Sequence, residues 1–162
     1  METGEIEVTS LSLEEIKLIV KRCLKKVYKE RPSLIEKYDI CERSIMYRFA
    51  FYLQKKFPNY FVDCEFDKKT DQSGEVSQKD ITKIKNYVDI IIHHRGHGRD
   101  FLCFELKKMG RSNGVEGDRE ELKILTSCEP ESFQYRYGFL IILNKKFEDV
   151  VYEIYEKGEL IE

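Results

Sequence analysis

Apolar residues recur at two different spacings along this chain, and the change from one to the other divides it. Leu13, Ile16, Ile19, Val20, Cys23, Leu24 and Val27 fall three and four positions apart, the period of a helix that buries one face. Ser12 and Glu15 have capping-box spacing at its start, and Arg31-Pro32-Ser33 breaks it after about Glu30. A second helical run extends from about Ile40 to Lys56 and stops before Pro58. Beyond it the pattern becomes β-like. Tyr60 to Phe66 is aromatic and β-branched, and predicts a first strand. Asp67 to Lys85 is polar and reads as a long mobile connection or a weakly formed hairpin. Two apolar runs follow, Tyr87 to Ile92 and Phe101 to Lys107, joined by the glycine-containing segment His93 to Asp100. A short helix is predicted from Asp118 to about Ser127, and a buried strand from Arg136 to Leu143. Glu148 to Tyr155 fits a strand or a helix equally well. The order is helix, helix, three strands, helix, strand, within one domain.

Two of these runs carry charge where a buried strand should have none. Asp89 lies within Tyr87-Val88-Asp89-Ile90-Ile91-Ile92, and Glu105 and Lys107 lie within Phe101-Leu102-Cys103-Phe104-Glu105-Leu106-Lys107. Charges in such surroundings need partners, a metal ion or a solvated cleft. Glu105 and Lys107, two apart on a strand, share a face. If the two runs pair as a hairpin, Asp89 joins them. The chain has two other E-x-K triplets, Glu15-Ile16-Lys17 and Glu121-Leu122-Lys123, but both fall on predicted helices. There, residues two apart diverge around the axis.

Other candidates are weaker. Glu42 points along the apolar stripe of Ile45, Met46, Phe49 and Leu53, toward the interior. The same residue also sits at capping-box spacing from Asp39, and both readings stay open. Glu65 shares a strand face with Phe61 and Asp63; it is an extra ligand or an edge carboxylate, the latter favoured. His93, His94 and His97 do not read as zinc ligands. Adjacent strand residues face opposite ways, and His97 lies between glycines, so a solvated, basic hairpin tip with Arg95 and Arg99 is expected. Phe133, Tyr135 and Tyr137 could stack on bases, but alternation into the following strand assigns them to the core.

Composition narrows the classes. The 162 residues suffice for one domain with a true core. A formal net charge of −2 disfavours a pure nucleic-acid binder and leaves room for an enzyme touching phosphates through a local cleft. The five cysteines have no C-x-x-C spacing, which points to reduced thiols and a cytoplasmic protein. The polar, acidic first ten residues do not read as a signal peptide, and no apolar stretch has the length of a membrane span.

The order of elements around Asp89, Glu105 and Lys107 resembles the core of the PD-(D/E)XK nuclease superfamily, the restriction-endonuclease-like fold. The resemblance covers about residues 35–143, with Cys41 to Arg48 as its first core helix and the helix of about 12–30 as an addition. Val88 stands where the family has a proline before the Asp. The resemblance implies an α/β fold with an αβββαβ core, a central mixed sheet flanked by helices. It implies a Mg²⁺-dependent nuclease, with Mn²⁺ able to substitute, acting on nucleic acid and on DNA by preference, and a homodimer is compatible with it. Asp89, Glu105 and the Leu106 carbonyl would bind the metal, with Glu42 or Glu65 as a further ligand, and Lys107 would serve the attacking water or the phosphate. The alternative is a nuclease-fold module without chemistry that binds nucleic acid or a protein partner.

Overall fold

The computed structural model of the chain describes residues 10–30, 42–67, 87–94, 100–110, 114–129 and 133–162. The capping box at Ser12 closes as its spacing predicts. The Ser12 amide donates to Glu15 Oε2 at 2.8 Å, and the Glu15 amide donates to Ser12 Oγ at 3.3 Å. Helix α1, Leu13–Glu30, follows and buries Ile16, Val20, Cys23, Leu24, Val27 and Tyr28 along one stripe. Helix α2, Glu42–Lys56, buries Ile45, Met46, Phe49, Ala50 and Leu53. Asp39, the cap partner expected for Glu42, lies outside the described residues, as do most of the polar connection after Asp67 and His97.

Strands β1 (Phe61–Asp67), β2 (Tyr87–His93), β3 (Asp100–Lys108), β4 (Tyr137–Leu143), β5 (Val151–Glu156) and β6 (Glu159–Leu160) form one six-stranded sheet in chain order. The β3–β4 pair is parallel and the other four pairs are antiparallel. A parallel step needs a crossover, which helix α3 (Val115–Thr126) supplies. The result is a mixed α/β sheet with helices on both faces. Alternation along the strands splits the core in two. Ile90, Ile92, Leu102, Phe104, Phe139 and Ile141 pack toward α1 and α2. Ile91, Cys103 and Leu140 pack toward α3, against Leu122 and Leu125. Gly138 permits the closest approach of that helix: a Cβ there would lie 3.0 Å from Leu122 Cδ2 and 3.1 Å from Thr126 Cγ2.

Three expectations are refined. The segment after Glu148 is a strand, continued by a hairpin to β6 whose turn residues Lys157 and Gly158 both have positive φ (52° and 82°). Two consecutive positive φ values match the right-handed twist of the flanking strands. Helix α3 begins three residues earlier than its polar start suggested, at Val115. His93 is not part of a solvated tip: it is buried, with Nε2 2.7 Å from Asp63 Oδ2 across the β1–β2 pair. Phe133, Tyr135 and Tyr137 are core residues, as alternation indicated.

Candidate metal centre

Both faces of β3 are covered, so residues 101–106 are all buried, and Glu105 is 3 % exposed. Alternation sends Phe104 and Leu106 toward α1 and α2, and Cys103, Glu105 and Lys107 toward α3. The β2–β3 register runs Ile92↔Leu102, Ile91↔Cys103, Ile90↔Phe104. One step further, Asp89 stands opposite Glu105. Directly opposed residues of antiparallel strands share a face, so these two carboxyl groups are neighbours, and they hydrogen-bond. Asp89 Oδ2 also accepts the Leu106 amide at 2.8 Å.

These surroundings hold the Asp89 carboxyl above the usual carboxylate range. Burial is the largest cause, and the nearby charge of Glu42 adds to it. The Leu106 amide, the Glu105 bond and the charge of Lys107 pull the other way without offsetting burial. Asp89 is therefore half-buried, and its ionised form needs compensation.

Helix α3 closes the site from the other side. It starts after Gly114, whose φ of 96° favours glycine and where a Cβ would lie 3.6 Å from Lys107 Nζ. Asp118 and Glu121, three residues apart, share the buried face of α3 with Leu122 and Leu125. Lys107 Nζ meets Asp118 Oδ2 at 2.9 Å. Glu105, Asp118 and Glu121 each bring a carboxylate oxygen to one place, all within 4.8 Å of one another, with Asp118 0 % and Glu121 1 % exposed. Glu105 thus belongs to two groupings, with Asp89 on the sheet and with the two helical acids.

Glu42 reaches the edge of this cluster. Its Oε2 accepts the amide of Lys108 at 2.9 Å, tying the start of α2 to the end of β3. Glu65 is placed elsewhere: its carboxylate accepts from Tyr47 Oη at 2.9 Å and from Arg43 Nε at 2.8 Å. The structure brings Asp89, Glu105, Lys107 and Glu42 together and adds Asp118 and Glu121. The sequence marks Asp118 only as the start of a short helix, and sets Glu121 aside because its E-x-K triplet falls on that helix. Their signal was present: D-x-x-E immediately before Leu122 places both acids on the apolar stripe.

The donor set is oxygen throughout, which suits a hard divalent cation such as Mg²⁺ or Mn²⁺. Four buried or half-buried carboxyl groups, those of Asp89, Glu105, Asp118 and Glu121, gather around the single lysine Lys107 among the described residues. That excess of acidic over basic groups is one a cation would compensate. No family model matches the chain, and no curated protein does. Among solved structures, the crystal structure of SSO0001 is similar at a TM-score of 0.34 and 13 % identity, covering 88 % of this chain and 77 % of that one. A likeness this slight supports no conclusion about fold or function. No helix among the described residues is long and apolar enough to cross a membrane.

Proposed function

We propose that the chain is a metal-dependent nuclease hydrolysing phosphodiester bonds of nucleic acid, with DNA as the favoured substrate. The observation that carries this reading is the meeting of Asp89 and Glu105 across β2 and β3, with Lys107 on the same face of β3. The order α2-β1-β2-β3-α3-β4 supports it, since it follows the αβββαβ order of the restriction-endonuclease-like core, with α1 as an addition. Asp89, Glu105 and the Leu106 carbonyl would hold Mg²⁺ or Mn²⁺, and Asp118, Glu121 and Glu42 extend the supply of oxygen donors. When bound, the cation contributes Lewis-acid polarisation of the phosphate and a more acidic water.

The chain's own residues do the rest. The Leu106 amide fixes the Asp89 carboxylate, so that ligand is oriented before anything binds. Asp118 holds Lys107 beside the carboxylates, where its ammonium can stabilise charge developing on a phosphate oxygen. Packing of α3 over β3 keeps bulk water from Glu105, Asp118 and Glu121, which strengthens each of these interactions.

Cleavage of single- and double-stranded DNA and RNA by wild type and Asp89→Asn, in Mg²⁺, in Mn²⁺ and in chelator, tests the proposal. Metal-dependent cleavage by wild type, absent from the folded variant, is the expected result. Folded wild type that cleaves nothing with either metal would overturn it. That outcome favours the second reading, a nuclease-fold module that binds nucleic acid or a protein partner. One contact supports that reading: Lys107 is engaged by Asp118 on α3.

A further inference from the structure

The inner side of α2 is complete, with Ile45, Met46, Phe49, Ala50 and Leu53 all buried, yet the helix also turns large aromatic rings outward. Tyr47 is 50 % and Phe51 49 % exposed. They continue a line at every fourth position, Arg43, Tyr47, Phe51, Lys55, a ridge along one side of the helix. The Arg43 side chain is 69 % exposed, and Lys55 Nζ lies 4.4 Å from the Phe51 ring centroid. The neighbouring line is Arg48, Tyr52, Lys56, in which Tyr52 packs edge-on against Phe51 at 5.4 Å between centroids. Lys26 of α1 reaches over the Tyr52 ring at 5.3 Å.

The charge of this surface is opposite to that of the molecule. The whole chain carries −2, whereas α2 holds four basic residues against the one acid Glu42. Two carboxylates from neighbouring elements brace the aromatic rings: Glu65 accepts from Tyr47 Oη and Arg43 Nε, and Glu30 accepts from Tyr52 Oη. Glu65 adopts a left-handed backbone (φ 49°) that directs its side chain to α2. Glu65 neutralises part of the charge of Arg43, and Glu30 shares the surroundings of the Tyr52 hydroxyl with Arg48, so Lys55 and Lys56 carry the positive field at the far end of the ridge. The line also leads somewhere. It starts one residue after Glu42, whose carboxylate touches the end of β3 beside Asp89 and Glu105.

We infer that the outer ridge of α2 is a track for single-stranded nucleic acid, with bases stacking on Tyr47 and Phe51 and phosphates meeting Arg43, Arg48, Lys55 and Lys56. Exposed rings between cations fit unpaired bases, because each base offers a π-face and each link a phosphate. A duplex keeps its bases stacked internally and would use the cations alone. From Arg43 to Lys55 the ridge runs about 18 Å, long enough for several nucleotides. As a binding surface it stands alone; that it feeds the acidic site rests on the nuclease reading.

The test is fluorescence anisotropy of a labelled 15-nucleotide oligothymidylate, the corresponding duplex, and a labelled oligoglutamate peptide. The protein is the full chain carrying Asp89→Asn, in chelator, at about 50–200 mM salt. The single strand is expected to bind more tightly than the duplex. Three or four phosphate contacts predict a slope of log affinity against log salt of about −2 to −3. Tyr47→Ala and Phe51→Ala should each weaken the single strand about tenfold while sparing the duplex and the salt slope. Phe51→Trp should retain binding, and Lys55→Gln should flatten the slope. The proposal fails if both alanine variants, folded by their melting curves, bind the single strand like the parent. It fails equally if the duplex binds as well as the single strand, or if only the peptide binds. The two readings separate cleanly. Single-strand binding without any cleavage by wild type keeps the track and removes the chemistry; cleavage with binding indifferent to Tyr47 and Phe51 does the reverse.

Discussion

Asp89 is the residue at which stability and proposed function oppose each other. Its folded pKa lies above its ordinary value, chiefly because it is buried, so protonation favours the fold. Its contribution is fully present below the unfolded pKa and is lost as pH rises through the folded one. Asp89→Asn removes the titrating group and keeps an oxygen for the Leu106 amide. In chelator the variant should therefore melt above wild type at neutral pH, by a few degrees, or about 1 kcal/mol in a chain of this size. The gap should close on acidification, and thermal melts from pH 4 to 8 check it. With metal the order should reverse. A cation at a hundred times its Kd adds about 2.7 kcal/mol to wild type, and the variant should lose most of that gain. A variant less stable than wild type in chelator would mean that Asp89 is a structural acceptor rather than a poised ligand. At this scale the sequence was legible for Asp89, Glu105 and Lys107, because strand alternation and register alone bring them to one face. It was partly legible for Glu42, where helical period gave the direction but not the contact with Lys108. Asp118 and Glu121 were missed because their D-x-x-E spacing gives a shared helical face but not the lysine and strand carboxylate that this face meets.

Helix α3 is the element that turns two strand carboxyls into a cluster, and two of the contacts that hold it to the sheet are open to test. Arg119 forms a forked pair with Glu153 of β5, with Nε 2.9 Å from Oε2, and Tyr155 Oη donates to the same carboxylate at 2.9 Å. The Arg119 pairing holds the Glu153 carboxyl below the usual range, with help from Tyr155 and against partial burial. A depressed folded pKa contributes stability above the unfolded pKa and loses it as pH falls through the folded one. Glu153→Gln should thus cost about 1 kcal/mol at neutral pH and little in acid, so the wild-type and variant stability curves converge below about pH 4. Denaturant midpoints across that range measure it, and a constant gap would remove the charge from the explanation. The second contact is steric. Gly138→Ala would place a methyl 3.0 Å from Leu122 Cδ2 and 3.3 Å from Cys103 Sγ, and should cost about 1–3 kcal/mol as α3 is displaced. The same displacement moves Asp118 and Glu121, so the metal-induced rise in melting temperature should shrink with it. Period identified nearly every element, since buried stripes and alternation survive without tertiary context. The choice of strand for Val151–Glu156 was decided by its pairing with β4 and β6, which no local window contains.

For the whole molecule, the open matter in the sequence was what α1 covers. A helical stripe says that one face is buried and not by what. In the structure the stripe lies on the sheet's own core, with Phe139, Ile141, Leu143 and Ile154. Its flanks are pinned to the far end of the chain: Tyr28 Oη donates to the Asn144 carbonyl at 2.7 Å and packs edge-on to Phe147, and Lys17 pairs with Glu162. Helix α1 also carries Lys26, which sits over the Tyr52 ring of α2. The helix that stands outside the proposed nuclease core is therefore part of what holds that core together. Six apolar side chains buried at about 1.5–3 kcal/mol each amount to roughly the entire stability expected of a domain. A chain shortened to residues 31–162 should accordingly lose its cooperative thermal transition and expose its apolar face, read by circular dichroism melts and by dye binding. If the shortened chain instead melts sharply near the full-length midpoint, α1 is an appendage, and its buried stripe would be free to serve a partner.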